Sequence, residues 1–295
     1  MIIHNRIQEL KKQLNIAKSN GKTIGFVPTM GALHAGHIEL VKRSKLENDI
    51  TVCSIFVNPT QFNDLSDLEK YPRTLEMDSQ LLQAVNCDFV FAPEVTEMYT
   101  EQELELKRQH VEDRSWTNGQ EVDFGILDKV MEGAHRPGHF NGVAQVVSKL
   151  FRIVEPHKAY FGQKDFQQLA IIRSMTAQLK MPTEIIGCPI VRETDGLAMS
   201  SRNVRLTEKE RAVAPLIYKT LSAVKEKTDT VPVSALKNMA KEMIAQEPLM
   251  QLEYFEISDA ATLAPIDSLT QSKSAVACIA LKLGAVRLID NMLLK

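Results

Sequence analysis

The chain is poor in the features that would place it in a specialised class. Cysteine is sparse: Cys53, Cys87, Cys188 and Cys278 lie far apart and form no CxxC pair, which argues against a zinc site and for reduced, buried thiols. No uninterrupted apolar run approaches the ~20 residues of a membrane-spanning helix. The opening MIIHNRIQELKKQLN lacks the charged-then-apolar order of a signal peptide, so a cytoplasmic protein is expected. An excess of one charge is missing too. Thirty-five Lys+Arg against 37 Asp+Glu leave a net charge of −2, and no long like-charged block is present, so neither nucleic acid nor membrane is expected as a partner. Both GxxxxGK[ST] and GxGxxG are absent, which excludes a P-loop and a dinucleotide fingerprint. There is no internal repeat and no low-complexity segment.

What is present is ordinary globular composition, 44% hydrophobic over 295 residues, enough for one large or two moderate domains. Ile3, Ile7, Leu10, Leu14 and Ala17 recur at helical spacing and predict a first helix stopped near Gly21. A strand at 23–27 (TIGFV), a helix at 38–46 and an almost wholly apolar strand at 50–57 (ITVCSIFV) follow. A helix at 75–85 and a strand at 88–92 closed by Pro93 come next. Residues 94–123 change character, dense in charge from Glu101 to Arg114, and are expected to form an ordered but exposed excursion. Val143, Val146, Val147, Leu150, Phe151 and Val154 then mark an amphipathic helix beginning at Gly142. A strand at 159–162, a helix that Asp165 could cap, and a strand at 184–191 complete the alternation. Alternating strand and helix predict an α/β, Rossmann-like doubly wound parallel sheet over residues 1–190. Residues 191–295 read differently. One long helix at 207–227 capped by Thr207, another at 235–246, and strands at 252–258, 275–281 and 286–289 with a hairpin at 282–285 predict a smaller α+β C-terminal domain.

Six segments carry chemistry-bearing residues, and several fall where a strand gives way to a helix. PTMGALHAGH, ending at His37, places Gly31, Gly36, His34 and His37 at such a turn, where backbone N–H groups and a helix dipole favour phosphate. FVNPTQF follows the second strand at the sheet's carboxyl edge, where open α/β sheets bind ligands; its Gln61 offers a donor and an acceptor suited to a hydroxy acid. YPRTLEMD contains Asp78, a carboxylate of the kind that helps hold Mg²⁺, or else a solvated acid at a helix start. HRPGHFNG places His139 and Asn141 just before an apolar helix. FGQKDFQQ brings Lys164, a mobile cation suited to phosphate, and Gln168 one helical turn later. GLAMSSRN brings Ser200, Ser201 and Arg202 to a loop at the expected domain junction, where they can close on phosphates.

In this order the six segments resemble the pantothenate synthetases, the pantoate–β-alanine ligases, from residue 23 to about residue 205. That family belongs to the nucleotidyltransferase superfamily that includes class I aminoacyl-tRNA synthetases. HAGH at 34–37 is similar to its HIGH-type signature, and MSSRN at 199–203 to its KMSKS counterpart without the leading lysine. The resemblance implies ATP-dependent condensation of (R)-pantoate with β-alanine through a pantoyl adenylate, giving pantothenate, AMP and pyrophosphate. It further implies ATP against Met30, Gly31, Ala32, Leu33, His34, Ala35, Gly36, His37, Gly162, Gln163, Lys164, Asp165, Val191, Met199, Ser200, Ser201 and Arg202. His37 would be the proton donor, with His34, Lys164, Ser200, Ser201 and Arg202 stabilising charge. Gln61 and Gln168 would hold pantoate, Gln61 would also lie near β-alanine, and Asp78 would stand at a Mg²⁺ site. Met77 occupies a position where some members carry a second acid. A homodimer is implied as well. The competing readings are another adenylyl- or cytidylyltransferase of the superfamily and a non-catalytic nucleotide sensor on the same fold.

Overall fold

A computed structural model describes residues 1–62, 68–109 and 122–295. Six parallel strands form the main sheet: β1 (Ile2–His4), β2 (Ile24–Thr29), β3 (Ile50–Ile55), β4 (Phe89–Phe91), β5 (Lys158–Gly162) and β6 (Glu184–Cys188). Their spatial order is β1-β4-β3-β2-β5-β6. The chain therefore walks one way from β2 through β3 to β4, then returns to the other side of β2 for β5 and β6. The reversal falls between β2 and β5, and at such a switch point the carboxyl ends of the strands open a crevice. Helices α1 (Ile7–Ser19) and α2 (Ala35–Glu47) flank β2, and α3 (Leu75–Ala84) leads to β4. Two short helices, α4 (Val95–Met98) and α5 (Glu101–Gln109), precede α6 (Met131–His135), the long α7 (His139–Val154) and α8 (Phe166–Gln178). The core on one face joins Phe26, Phe91, Phe151 and Ile172; the other face buries Val27, Val41, Cys53 and Tyr160.

The C-terminal domain is built on an antiparallel sheet of β7 (Met250–Asp259), β8 (Ala275–Leu283) and β9 (Val286–Leu293), in that order. Helices α9 (Glu208–Val213), α10 (Leu216–Glu226) and α11 (Val233–Ala245) accompany it. Its own core gathers Ile217, Leu221, Leu236, Ile257, Ile279 and Leu281. The hairpin expected at 282–285 is present, with Gly284 at φ +57° between β8 and β9.

Several local expectations are corrected. Ile3 belongs to no helix: it pairs with Val90 in the edge strand β1, and the first helix starts at Ile7. The helix expected at 207–227 is two, α9 and α10, broken at Ala214-Pro215, because proline has no N–H for the helical ladder. Thr207 does cap α9, in a reciprocal bond pair with Glu210. Asp165 holds the cap position of α8 without a side-chain capping bond. The strand expected at 184–191, β6, stops at Cys188, ahead of Pro189. Helix α7 begins at His139, three residues before Gly142, so the histidine stands inside its first turn. The charged excursion is tied down at both ends: Lys149 Nζ donates to Glu103 at 2.5 Å, and Val122 and Phe124 are buried in the main core. Its middle, residues 110–121, lies outside the described residues.

Candidate active site

The carboxyl ends of β2 and β5 wall a single cleft at the switch point. It is lined by Met30, His34, Gly36 and His37 from the β2–α2 turn and by Gly162, Lys164 and Asp165 after β5. Val191 and the run Met199, Ser200, Ser201, Arg202 close a third side. Gln61 and Gln168 face the same space. Four separated segments thus meet in one crevice. Gly31, Ala32, Leu33, Ala35, Gln163 and Asp78, also named from the sequence, do not line it.

The β2–α2 turn is held from behind. Asp78 is 1% exposed, and its two carboxylate oxygens accept the N–H groups of Ala32 at 3.0 Å and Leu33 at 2.8 Å, with the Thr74 hydroxyl at 3.2 Å. Gly31 holds φ +80° freely, whereas Ala32 at φ +50° is strained and is held there by the carboxylate bonds. This geometry assigns Asp78 to the turn rather than to Mg²⁺: each of its oxygens already accepts a backbone N–H, and the residue does not line the cleft. Among the described residues no group of three or more His, Cys, Asp or Glu could hold a metal ion. We assign no metal-ligating residue.

The two histidines stand with ring centroids 4.1 Å apart. His34 is the N-cap of α2, and its Nδ1 accepts from the Gly36 N–H at 3.2 Å. His37 Nδ1 accepts from the His34 N–H at 3.4 Å. A ring nitrogen that accepts a backbone N–H carries no proton, so in the neutral ring the proton is on Nε2. Both rings are strongly disposed to neutrality. Burial, then the Lys164 charge, lowers His34 to about 4; burial, then His34 and Lys164, lowers His37 to about 3. At neutral pH the pair is therefore two Nε2–H donors beside a permanent cation, and a bound anion raises both values toward protonation.

The third side is a tight hairpin. Met199 N–H donates to the Val191 carbonyl at 3.0 Å, and Arg192 bridges Ala198. Arg192 grips Asp290 of β9 through two bonds of 2.6 and 3.0 Å and lies 4.4 Å from the centre of the Tyr218 ring. Asp290 is buried, which pushes its carboxyl up against the opposing pull of Arg192. The next residue, Asn291, donates to the carbonyls of Gln163 and Lys164 at 2.8 and 2.9 Å. One strand of the C-terminal sheet thus fixes both the base of the serine–arginine loop and the turn that carries Lys164. Burial pushes the Tyr71 phenol up, against the opposing pull of Ser201 at the loop tip.

Residues not singled out from the sequence complete the cleft. Asn58, 1% exposed, binds the Gln61 side chain, Thr60 and the Tyr99 hydroxyl. Val143, Val146, Val147 and Leu150 of α7 form an apolar wall, with Phe56 and Phe161 beside them. Tyr71, Pro189 and Ile190 add to the lining. Asn58 stands beside Gln61 in the FVNPTQF segment; the valines carry only the signal of a buried helix face.

Comparison with known proteins identifies the family. The model of the Pantoate-beta-alanine ligase family matches residues 2–293. The chain belongs to the pantoate–beta-alanine ligase family. It is 52% identical over 291 residues to the pantothenate synthetase of Bacteroides fragilis, covering 99% of this chain and 98% of that one. The crystal structure of the Thermus thermophilus pantothenate synthetase superposes with a TM-score of 0.87 at 40% identity over 99% of each chain. That of the Francisella tularensis pantoate-beta-alanine ligase, complexed with beta-gamma ATP and beta-alanine, superposes at 0.74 and 34% identity, covering all of this chain and 98% of that one. Membership makes the chain a ligase of this family, on the Rossmann-like fold described above.

Proposed function

We propose that the cleft condenses pantoate with β-alanine at the expense of ATP, through a pantoyl adenylate. One observation carries the reading: a single crevice at the switch point has a cationic, N–H-rich end and a glutamine-and-aliphatic end, and an acyl adenylate needs both. The phosphates lie at the first end, against Lys164, Arg202, the serine hydroxyls and the start of α2. Gln61 and Gln168 take the hydroxyls and carboxylate of pantoate, while the Val143–Val146 wall takes its dimethyl carbon.

A carboxylate resists attack by an amine until it carries a leaving group. In the first step a pantoate oxygen attacks the α-phosphorus, the α–β bridge oxygen leaves with pyrophosphate, and charge builds on the phosphoryl oxygens. His34 and His37 Nε2–H, Lys164 and Arg202 stabilise that charge without moving. In the second step the β-alanine amine attacks the acyl carbon, AMP departs, and the amine loses a proton. The four cysteines are buried and outside the cleft, so no enzyme-bound acyl group is invoked. Mg²⁺ arrives with the nucleotide in this reading, and no side chain is assigned to it.

We place the domain boundary at 190/191, supported by the separate C-terminal core, with residues 191–295 acting as a lid that carries the serine–arginine loop. A homodimer working in the cytoplasm belongs to the same reading and rests on family resemblance. Among the described residues no helix is long and apolar enough to cross a membrane. The test is pyrophosphate release from ATP that depends on pantoate and precedes β-alanine addition. Release without pantoate would point to a different nucleotidyltransferase, and no release under any condition to a nucleotide sensor.

A further inference from the structure

The segment at 135–142, HRPGHFNG, encloses the backbone of the turn that carries Gln61. His139 is 7% exposed. Its Nδ1 lies 2.9 Å from the Gln61 carbonyl oxygen, and its Nε2 lies 3.1 Å from a guanidinium nitrogen of Arg136. A guanidinium has only N–H groups to offer, so Nε2 is the accepting nitrogen and the ring proton sits on Nδ1. That proton is donated to the Gln61 carbonyl. Burial, then the Arg136 charge, lowers the ring to about 3, so it stays neutral and keeps this single tautomer.

The orientation of the ring has its own support. Arg136 stands 3.8 Å from Glu132, whose carboxylate is gripped by Arg287 at 2.8 and 2.7 Å and by the Tyr254 hydroxyl at 2.8 Å. On the other side of the turn the backbone of α7 presses close. A Cβ on Gly142 would fall 2.4 Å from the Thr60 carbonyl oxygen and 2.8 Å from the Gln61 Cα. Asn58 Nδ2 donates both to the Gly142 carbonyl and to Gln61 Oε1, each at 3.2 Å. Gln61 is thus fixed at its carbonyl, its α-carbon and its side-chain oxygen. Its Nε2 lies against the Met30 sulfur at 2.8 Å, a weak acceptor that a substrate oxygen would readily replace.

We infer that His139 is a positioning residue: its Nδ1–H holds the residue-61 carbonyl and thereby sets the direction in which the Gln61 amide meets pantoate. The inference rests on the proposed role of Gln61. It assigns to the 135–142 segment a selective effect on the hydroxy-acid end of the cleft and none on the nucleotide end.

Two substitutions in the full chain separate this from general support of the fold. In His139→Asn the amide nitrogen takes the place of Nδ1 and can still donate to the Gln61 carbonyl. In His139→Gln the amide reaches toward Arg136 instead and leaves that carbonyl unpaired. Steady-state kinetics are measured with pantoate varied at saturating ATP, then the reverse. The expected result is a KM for pantoate raised about tenfold in His139→Gln, with the KM for ATP within about twofold of wild type and substantial rescue in His139→Asn. Equal effects of the two variants, or a KM for ATP that rises in step with that for pantoate, would overturn the inference. The wild-type protein supplies a measurement that needs no variant to fold: ring nitrogen-15 shifts should place the His139 proton on Nδ1, and a proton on Nε2 overturns it. Wild-type protein without pantoate-dependent pyrophosphate release would instead sink the proposed function, leaving the tautomer measurement as a separate result.

Discussion

Replacing Asp78 by asparagine tests what holds the phosphate-facing turn together. The native carboxylate accepts two backbone N–H groups, from Ala32 and Leu33, within 3.0 Å and almost without solvent. Asparagine keeps one accepting oxygen, now uncharged, and turns an NH₂ donor toward the other N–H. A hydrogen bond to a charged group contributes about 1.5–3 kcal/mol, a neutral one about half that, and an unpaired buried N–H costs about 1–3 kcal/mol. The net loss is about 2–3 kcal/mol, taken from a turn whose Ala32 already holds a left-handed φ. For a chain of this size 1 kcal/mol shifts Tm by about 2–4 °C, so Asp78→Asn should lower Tm by roughly 4–12 °C. It should also raise the KM for ATP, because Gly36 and His37 ride on the same turn. The dependence of activity on Mg²⁺ concentration should keep its midpoint. Differential scanning fluorimetry and a Mg²⁺ titration at saturating ATP read these quantities. An unchanged Tm with a Mg²⁺ midpoint moved several-fold upward would refute the clamp and return Asp78 to the metal.

Removing the Lys164 ammonium as alanine should slow pantoate-dependent pyrophosphate release by roughly two to three decades, the scale of one lost charge-stabilising donor; an unchanged burst of pyrophosphate would contradict its place at the phosphates. The depressed histidines make stability depend on pH with a definite sign. Their folded values of about 4 for His34 and about 3 for His37 and His139 lie below the ordinary 6.5, so the unfolded chain binds more protons between these limits. Stability from these rings is complete above about pH 6.5 and falls as pH drops toward 4 for His34 and toward 3 for His37 and His139. His34→Asn/His37→Asn should flatten that part of a Tm-against-pH curve, and an unaltered slope would show that the rings are not held neutral. ATP should protect the serine–arginine loop from limited proteolysis, because water must be kept off the adenylate; cleavage rates indifferent to nucleotide would argue against closure.

The parts of the fold and site that could be read in the sequence are those whose determinants are local. The β2–α2 turn was visible because strand, glycines, histidines and helix follow one another within fifteen residues. Thr207 as a cap was visible for the same reason, with Glu210 three residues on. Failures came where a distant partner decides. Three residues at Ile2–His4 have no periodicity of their own, and β4, some ninety residues away, makes them a strand. From the sequence Asp78 reads as a Mg²⁺ carboxylate or a solvated helix-start acid, because its partners Ala32 and Leu33 lie more than forty residues back. The valine face of α7 looked like core: an apolar stripe has the same composition whether it meets another helix or a ligand. Pro215 is the exception, since the break it imposes on 207–227 is local and follows from its missing N–H.

The histidines show why proximity to phosphate does not by itself imply a positive ring. A ring charged in the free cleft would attract the triphosphate equally before and during reaction, and such uniform binding does not lower the barrier of the chemical step. Two neutral Nε2–H donors held from behind by backbone N–H groups act differently. In the proposed reaction they would bind the ground-state oxygens weakly and strengthen as charge gathers on the phosphoryl group, with no reorganisation because α2 has already fixed them. Permanent charge is supplied separately, by Lys164 from the β5 turn and Arg202 from the loop. Both segments are anchored by the adjacent residues Asp290 and Asn291 of one C-terminal strand. The cation that lowers both histidines, Lys164, is therefore set by the C-terminal sheet rather than by the turn that bears the rings. A change at β9 that releases the Lys164 carbonyl, such as Asn291→Ala, should weaken the Lys164 contribution and raise both histidine values, while burial, the larger cause, keeps the rings neutral at pH 7; ring nitrogen-15 shifts followed against pH read the change, and unmoved values would refute the link.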